Sequence, residues 1–314
     1  MDDDLEKLLV TARELRLTGV DTRGVRRAAE RGRLIRPHRG SYLATGDWRR
    51  LTELDRYTLR IIGAITSGRE NPIVSHVSAA VLWGAPIIGP LPALVHVLAT
   101  VEAGTRTEHG FRRHATPHRF DLERRGELWM TSLVRTLVDV AVDAPFLTAV
   151  GVLDWALAAH PIGKDEILGC LDRLGIRRGR GRAERAIEFA DARAGSPGET
   201  LSRVRIHEGG FPAPILQQPI LDADGLVGVG DFWWPEENLL GEFDGVAKYV
   251  REEYTEGRDP AEIVLAEKRR EDRIRATGPR VIRWDWSIAW PPHRLSAHLL
   301  AAGLPSTHRR YRSS

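Results

Sequence analysis

From position 5 to 17 the apolar residues Leu5, Leu8, Leu9, Ala12 and Leu15 recur at helical spacing between polar ones, and Gly19 follows as a stop. This pattern predicts one amphipathic helix. Asp21 then stands as an N-cap before a shorter stripe of Val25, Ala28 and Ala29 that ends at Gly32, predicting a second helix after a tight turn. Leu34-Ile35 and Tyr42-Leu43 flank Arg36-Pro37-His38-Arg39-Gly40, the pattern of two short strands joined by a basic tip. Helix, turn, helix and hairpin together predict a winged helix-turn-helix over residues 1–50.

The next segment, 51–195, is expected to be mixed and helix-dominated. Helical spacing marks 54–66, 74–83, 132–142, 146–159, 164–174 and 182–192, a strand is expected over 94–99, and 112–125 reads as a polar, histidine-rich connection. Residues 71–101 contain no Lys, Arg, Asp or Glu. Pro72, Pro86, Pro90 and Pro92 with Gly84 and Gly89 cut that run into pieces too short to cross a bilayer as one helix, so it is read as buried core and no membrane is expected as a partner.

Ser196-Pro197-Gly198 marks a boundary, and a third domain is expected over 196–314. Its order is helix (199–208), strands (215–221, 226–233, 239–244), helix (260–276), strand (280–286) and helix (293–302), or αβββαβα. The fold class is therefore α+β or α/β and multidomain.

Composition adds boundaries to this picture. With 314 residues, 42% hydrophobic and 28% charged, the chain can bury a core without staples. Its one cysteine, Cys170, excludes an intramolecular disulfide and a Cys-based zinc centre, and the start Met1-Asp2-Asp3-Asp4 is acidic where a leader would be basic. A reducing cytoplasm is the expected location.

Charge matters by its placement. The net value is only +3, yet residues 23–39 hold seven arginines and one acid, Glu30, a local charge of 7 − 1 = +6. Arg23, Arg26, Arg27, Arg33, Arg36 and Arg39 are accordingly expected to meet double-stranded DNA, whose phosphates release counterions to such a surface. His109, His114 and His118 stand among Arg106, Arg112, Arg113 and Arg119, whose charge argues against a metal there. Five arginines over 176–185 read as an exposed loop.

Candidate chemistry lies in the third domain. A turn centred between Glu236 and Glu237 makes antiparallel partners sum to 473, which sets Asp231 against Glu242 at roughly 5 Å between Cβ atoms. Period two puts Asp244 on the face of Glu242. Two such acids can share Mg²⁺ or Mn²⁺, an ion that activates water and offsets charge on a phosphodiester.

Asp231, Glu242-Phe243-Asp244-Gly245, Glu267-Lys268-Arg269-Arg270-Glu271-Asp272 and Val281-Ile282-Arg283-Trp284, on a hairpin after a Glu-bearing helix, resemble the PD-(D/E)XK nuclease superfamily. Within it they are similar to the branch of very-short-patch-repair endonucleases. The resemblance covers about 196–290. It implies Asp231 and Glu242 as metal-binding acids and Glu199 as the assisting helix glutamate. Asp244 stands where the superfamily places its catalytic lysine, leaving Lys248, or Lys268 on the following helix, to supply the cation.

The front winged helix, with Ser75-His76-Val77-Ser78-Ala79-Ala80-Val81-Leu82-Trp83-Gly84-Ala85-Pro86 and Thr131-Ser132-Leu133-Val134-Arg135-Thr136-Leu137-Val138-Asp139, resembles the AbiEi antitoxin family of type IV toxin-antitoxin systems. That resemblance implies operator binding, repression and a nucleotidyltransferase toxin as partner. Two functions stay open: a nuclease targeted by a winged helix, and a repressor or antitoxin whose nuclease-like end is inert and binds a partner.

Overall fold

A computed structural model describes residues 3–19, 22–67, 71–118, 120–126, 128–245, 273–274 and 276–307. The chain forms two compact units, Met1–Ala190 and Asp191–Ser314.

The front unit opens with helix Asp3–Lys7, strand Val10–Thr11, helices Ala12–Leu17 and Thr22–Glu30, and strands Leu34–Ile35 and Ser41–Ala44. The single helix expected over 5–17 is thus two helices with a strand between them. The cause is local: Thr11 Oγ1 accepts from the Glu14 N–H at 3.1 Å, while Glu14 Oε2 accepts from the Thr11 N–H at 2.7 Å. This reciprocal cap starts a new helix at Ala12. It leaves Val10 and Thr11 extended to pair with Tyr42 and Ser41, so the hairpin gains a third strand. Leu9, Leu43, Leu59 and Ile62 form the small core beneath. Asp21, the expected N-cap, lies outside the described residues, and Gly32 takes a φ of +72° just beyond the second helix of the pair.

The rest of the front unit is built on a six-stranded sheet in the order Arg106–Glu108, Phe111–Ala115, Val95–Ala99, Ile73–Val74, Leu128–Thr131, Leu122–Arg125. The polar connection expected over 112–125 is therefore largely strand. These flanking strands carry charge because much of their length is solvent-exposed, whereas Val95–Ala99 in the middle is buried at every position. Val74 is held by Val97 and Met130 on either side, so the helix expected from 74 begins at His76. Helices Thr45–Arg50, Glu53–Thr66, His76–Trp83, Leu133–Asp143, Phe146–Ala159, Lys164–Arg173 and Arg180–Phe189 complete the described part of the unit. Tyr57, Ile61, Val74, Val95, Val97 and Met130 share its main core, each large apolar side chain contributing about 1.5–3 kcal/mol by leaving water.

The back unit runs helix Pro197–Glu208, strands Ile215–Asp222, Gly225–Trp234, Leu239–Phe243 and Arg280–Trp284, then helices Trp286–Ala289 and Pro292–Ala301. Its four strands lie in chain order, antiparallel except for the last pair, which is parallel. The helix expected over 260–276 falls almost wholly outside the described residues. The strand expected to reach 286 ends at Trp284, because Asp285 accepts from the Ser287 and Ile288 N–H groups and caps a short helix. Phe232 stacks with Trp234 and with Trp284, and the Trp284 indole donates to Ser202 at 2.8 Å. Gly241 makes this possible: a Cβ there would stand 2.5 Å from the Trp284 ring. Among the described residues no helix is long and apolar enough to cross a membrane.

Candidate nucleic-acid interface, acidic cluster and polar cavity

On the Thr22–Glu30 helix Val25, Ala28 and Ala29 are half-buried, which turns Arg23, Arg26 and Arg27 outward. Arg33, Arg36 and Arg39 of the hairpin are exposed as well. The Arg26 side chain is 74% exposed and stands 3.5 Å from Glu30 one turn on, a solvent-screened pair worth roughly 0–1 kcal/mol. All six arginines singled out in the sequence therefore face solvent from one helix and the adjoining hairpin.

The hairpin tip is braced. His38 Nε2 lies 3.1 Å from the His109 carbonyl oxygen, and its ring packs at 5.4 Å on Phe111. Burial holds the His38 ring below its ordinary pKa, so the contact is made by a neutral imidazole. Gly110 leaves the space for it, since a Cβ there would stand 2.9 Å from His38 Nε2.

In the back unit Phe232 pairs with Gly241, Trp233 with Leu240 and Trp234 with Leu239, so partners sum to 473 as the turn predicts. Asp231 and Glu242 are the next positions outward. Asp231 Oδ2 accepts from the Phe243 N–H at 2.8 Å, and Oδ1 is 3.4 Å from Gln217 Nε2. Gln217 also donates to Glu199 Oε2 at 2.9 Å. Glu199 reaches back to the Gly195 N–H and the Ser196 hydroxyl, while its own N–H is capped by Ser196. Glu199, Gln217 and Asp231 are thus linked, and Gln217, at a left-handed φ of +52°, is a member that sequence reasoning missed.

Glu242 is buried, and its Oε2 lies 2.7 Å from Arg283 Nη2 on the parallel neighbour. The sequence looked for a cation in Lys248 or Lys268, both outside the described residues. Among the described residues a cation on Glu242 is Arg283, which local turns do not reveal. Asp244 lies one residue past the strand end, half-buried, its N–H donating to the Trp284 carbonyl at 2.8 Å.

A second constellation sits in the front unit, where the sequence assigned no site. His76 stacks on His114 with centroids 3.6 Å apart and 17° between planes, and His114 Nε2 is 3.2 Å from His96 Nδ1. Burial pushes the His76 ring well below its usual pKa, His96 down to about 3 and His114 to about 4, with Arg112 acting in the same direction. All three are neutral at neutral pH. Arg135 and Asp139 pair at 3.0 Å, each side chain under 5% exposed. Burial lifts Asp139 to about 6 against the pull of Arg135. Beside them opens a cavity of about 760 Å³, also lined by Arg112, Asp143, Arg178 and Arg182. His76, Arg135 and Asp139 come from the two short runs quoted above, so the motifs converge here. His96 is the member without a motif signal, an ordinary position in a strand.

Residues 6–45 match the model of a family described as transcriptional regulator, AbiEi antitoxin. Over 125 residues the chain is 32% identical to the uncharacterized proteins MT2308 and Rv2248 of two Mycobacterium tuberculosis strains, which is 40% of this chain and 46% of each relative. The chain thus spans less than half the length of the curated relatives it matches.

Proposed function

We propose that this chain is a DNA-binding transcriptional regulator of the AbiEi antitoxin kind. Its first 50 residues act as a winged helix-turn-helix, the Thr22–Glu30 helix entering the major groove and the Leu34–Ala44 hairpin following the phosphates. The observation that carries this reading is a coincidence of place: the family match over 6–45 falls on the stretch that exposes six arginines with a single acid among them. Residues 51–195 form the middle domain of that plan, and a nucleotidyltransferase toxin in the cytoplasm is its proposed partner.

Residues 196–314 serve on this reading as a folded, nuclease-like module that does not cut. What supports it is how far Asp231 and Glu242 are already engaged by protein groups. The Arg283 guanidinium neutralises Glu242, and both Asp231 oxygens already accept hydrogen bonds. On this reading Asp231, Glu242, Asp244 and Glu199 serve structural roles.

The test is binding of full-length protein to the DNA upstream of its own gene, beside a variant with Arg26, Arg27 and Arg36 replaced by Ala. Binding at least tenfold weaker in the variant is expected, and equal binding would end the proposal. Incubated with supercoiled plasmid and Mg²⁺, the protein is expected to leave it intact. Cleavage abolished by Asp231→Ala would restore the hydrolase reading instead.

A further inference from the structure

We propose that His96, His114 and Asp143 hold a divalent transition-metal ion of the zinc type in the wall of the front unit's cavity. One donor atom from each of the three lies within 4.8 Å of the other two. The two imidazole nitrogens are already 3.2 Å apart, close to the edge of about 3.4 Å that two nitrogens 2.0–2.1 Å from a tetrahedral ion define.

The fold sets this spacing. His96 and His114 stand on adjacent parallel strands, where Leu98 is the register partner of His114, so the two rings meet diagonally across the ladder. Asp143 ends the Leu133–Asp143 helix, and Arg112 Nη2 grips one of its oxygens at 2.9 Å. A ligating carboxylate is commonly oriented by such an outer partner. His76, stacked flat on His114, fixes the plane of that ring.

Arginine charge, the sequence argument against a metal among these histidines, is answered by the strand period. Arg113 alternates to the face opposite His114 and Arg112, where its Nε lies 2.8 Å from Glu108. Arg106 binds the same acid at 2.9 Å. On the His114 face Arg112 is matched by Asp143 and Arg135 by Asp139. Arg178 and Arg182 remain in the cavity wall. Two imidazoles and a carboxylate leave one tetrahedral position for water or an anion, which those two arginines would draw in.

The proposal is independent of DNA binding, and so is its test. Full-length protein stripped with EDTA is titrated with Zn²⁺ by calorimetry, and its Tm is followed. One equivalent bound and a raised Tm are expected, with Co²⁺ giving the intense visible bands of a tetrahedral site. His114→Gln and Asp143→Asn, each checked for folding by circular dichroism, should each weaken Zn²⁺ at least tenfold, while Arg26→Ala leaves it unchanged. No Zn²⁺ binding, or wild-type affinity in both ligand variants, overturns the assignment. So does a Tm raised by inorganic phosphate but not by Zn²⁺, which would make the cavity an anion site.

Discussion

The arginine-rich stretch over 23–39 and the acidic cluster of the back unit treat charge in opposite ways. Over 23–39 seven arginines share one acid, and the six singled out above are exposed. In the back unit the acids of the cluster are answered from within: Glu242 by Arg283, Asp231 by the Phe243 N–H and Gln217, Glu199 by its own helix start. Exposed cations are available to a polyanion, and their screened pairs add little to stability. Buried acids tied to neighbours hold a fold. On the proposed function, the exposed arginines serve recognition and the back-unit acids serve architecture.

Substitutions can break that contrast. The largest effect is expected for Arg135→Met in the front unit, which leaves Asp139 buried without its cation. Losing one partner of such a pair costs about 3–5 kcal/mol, read as a lower urea midpoint for the full chain. Glu242→Ala should cost about 2–3 kcal/mol in the same assay, less because Arg283 is 22% exposed and regains water. DNA affinity should not change with Glu242→Ala; a parallel loss would place the back unit in recognition. The smallest effect belongs to Thr11→Ala, about 1 kcal/mol for one helix cap. If its midpoint is that of the parent chain, the split of the first helix has another cause.

Much of this was legible in the residues because it is local. The basic hairpin, the 473 register and the succession of strands along the back unit follow from turns and periodicity, and Ser132 caps its helix where the pattern starts one. The break at Thr11 was legible too: Thr-x-x-Glu is a capping signature, overridden in reading by the longer apolar stripe. Other features needed the tertiary fold. The charged strands between Arg106 and Arg125 look like loop because much of their surface is exposed. Arg283 meets Glu242 only through a parallel pairing whose connection no turn specifies. His96 joins His114 because two strands lie side by side, which spacing along the chain does not encode.

The most direct measurement is the salt dependence of DNA binding by the full chain. With about six phosphates neutralised by the exposed arginines, log K should fall against log[salt] with a slope of about −5, and the Arg26, Arg27, Arg36 triple alanine variant should flatten it by about 2.7. A slope near zero, or one untouched by the three substitutions, would contradict the account.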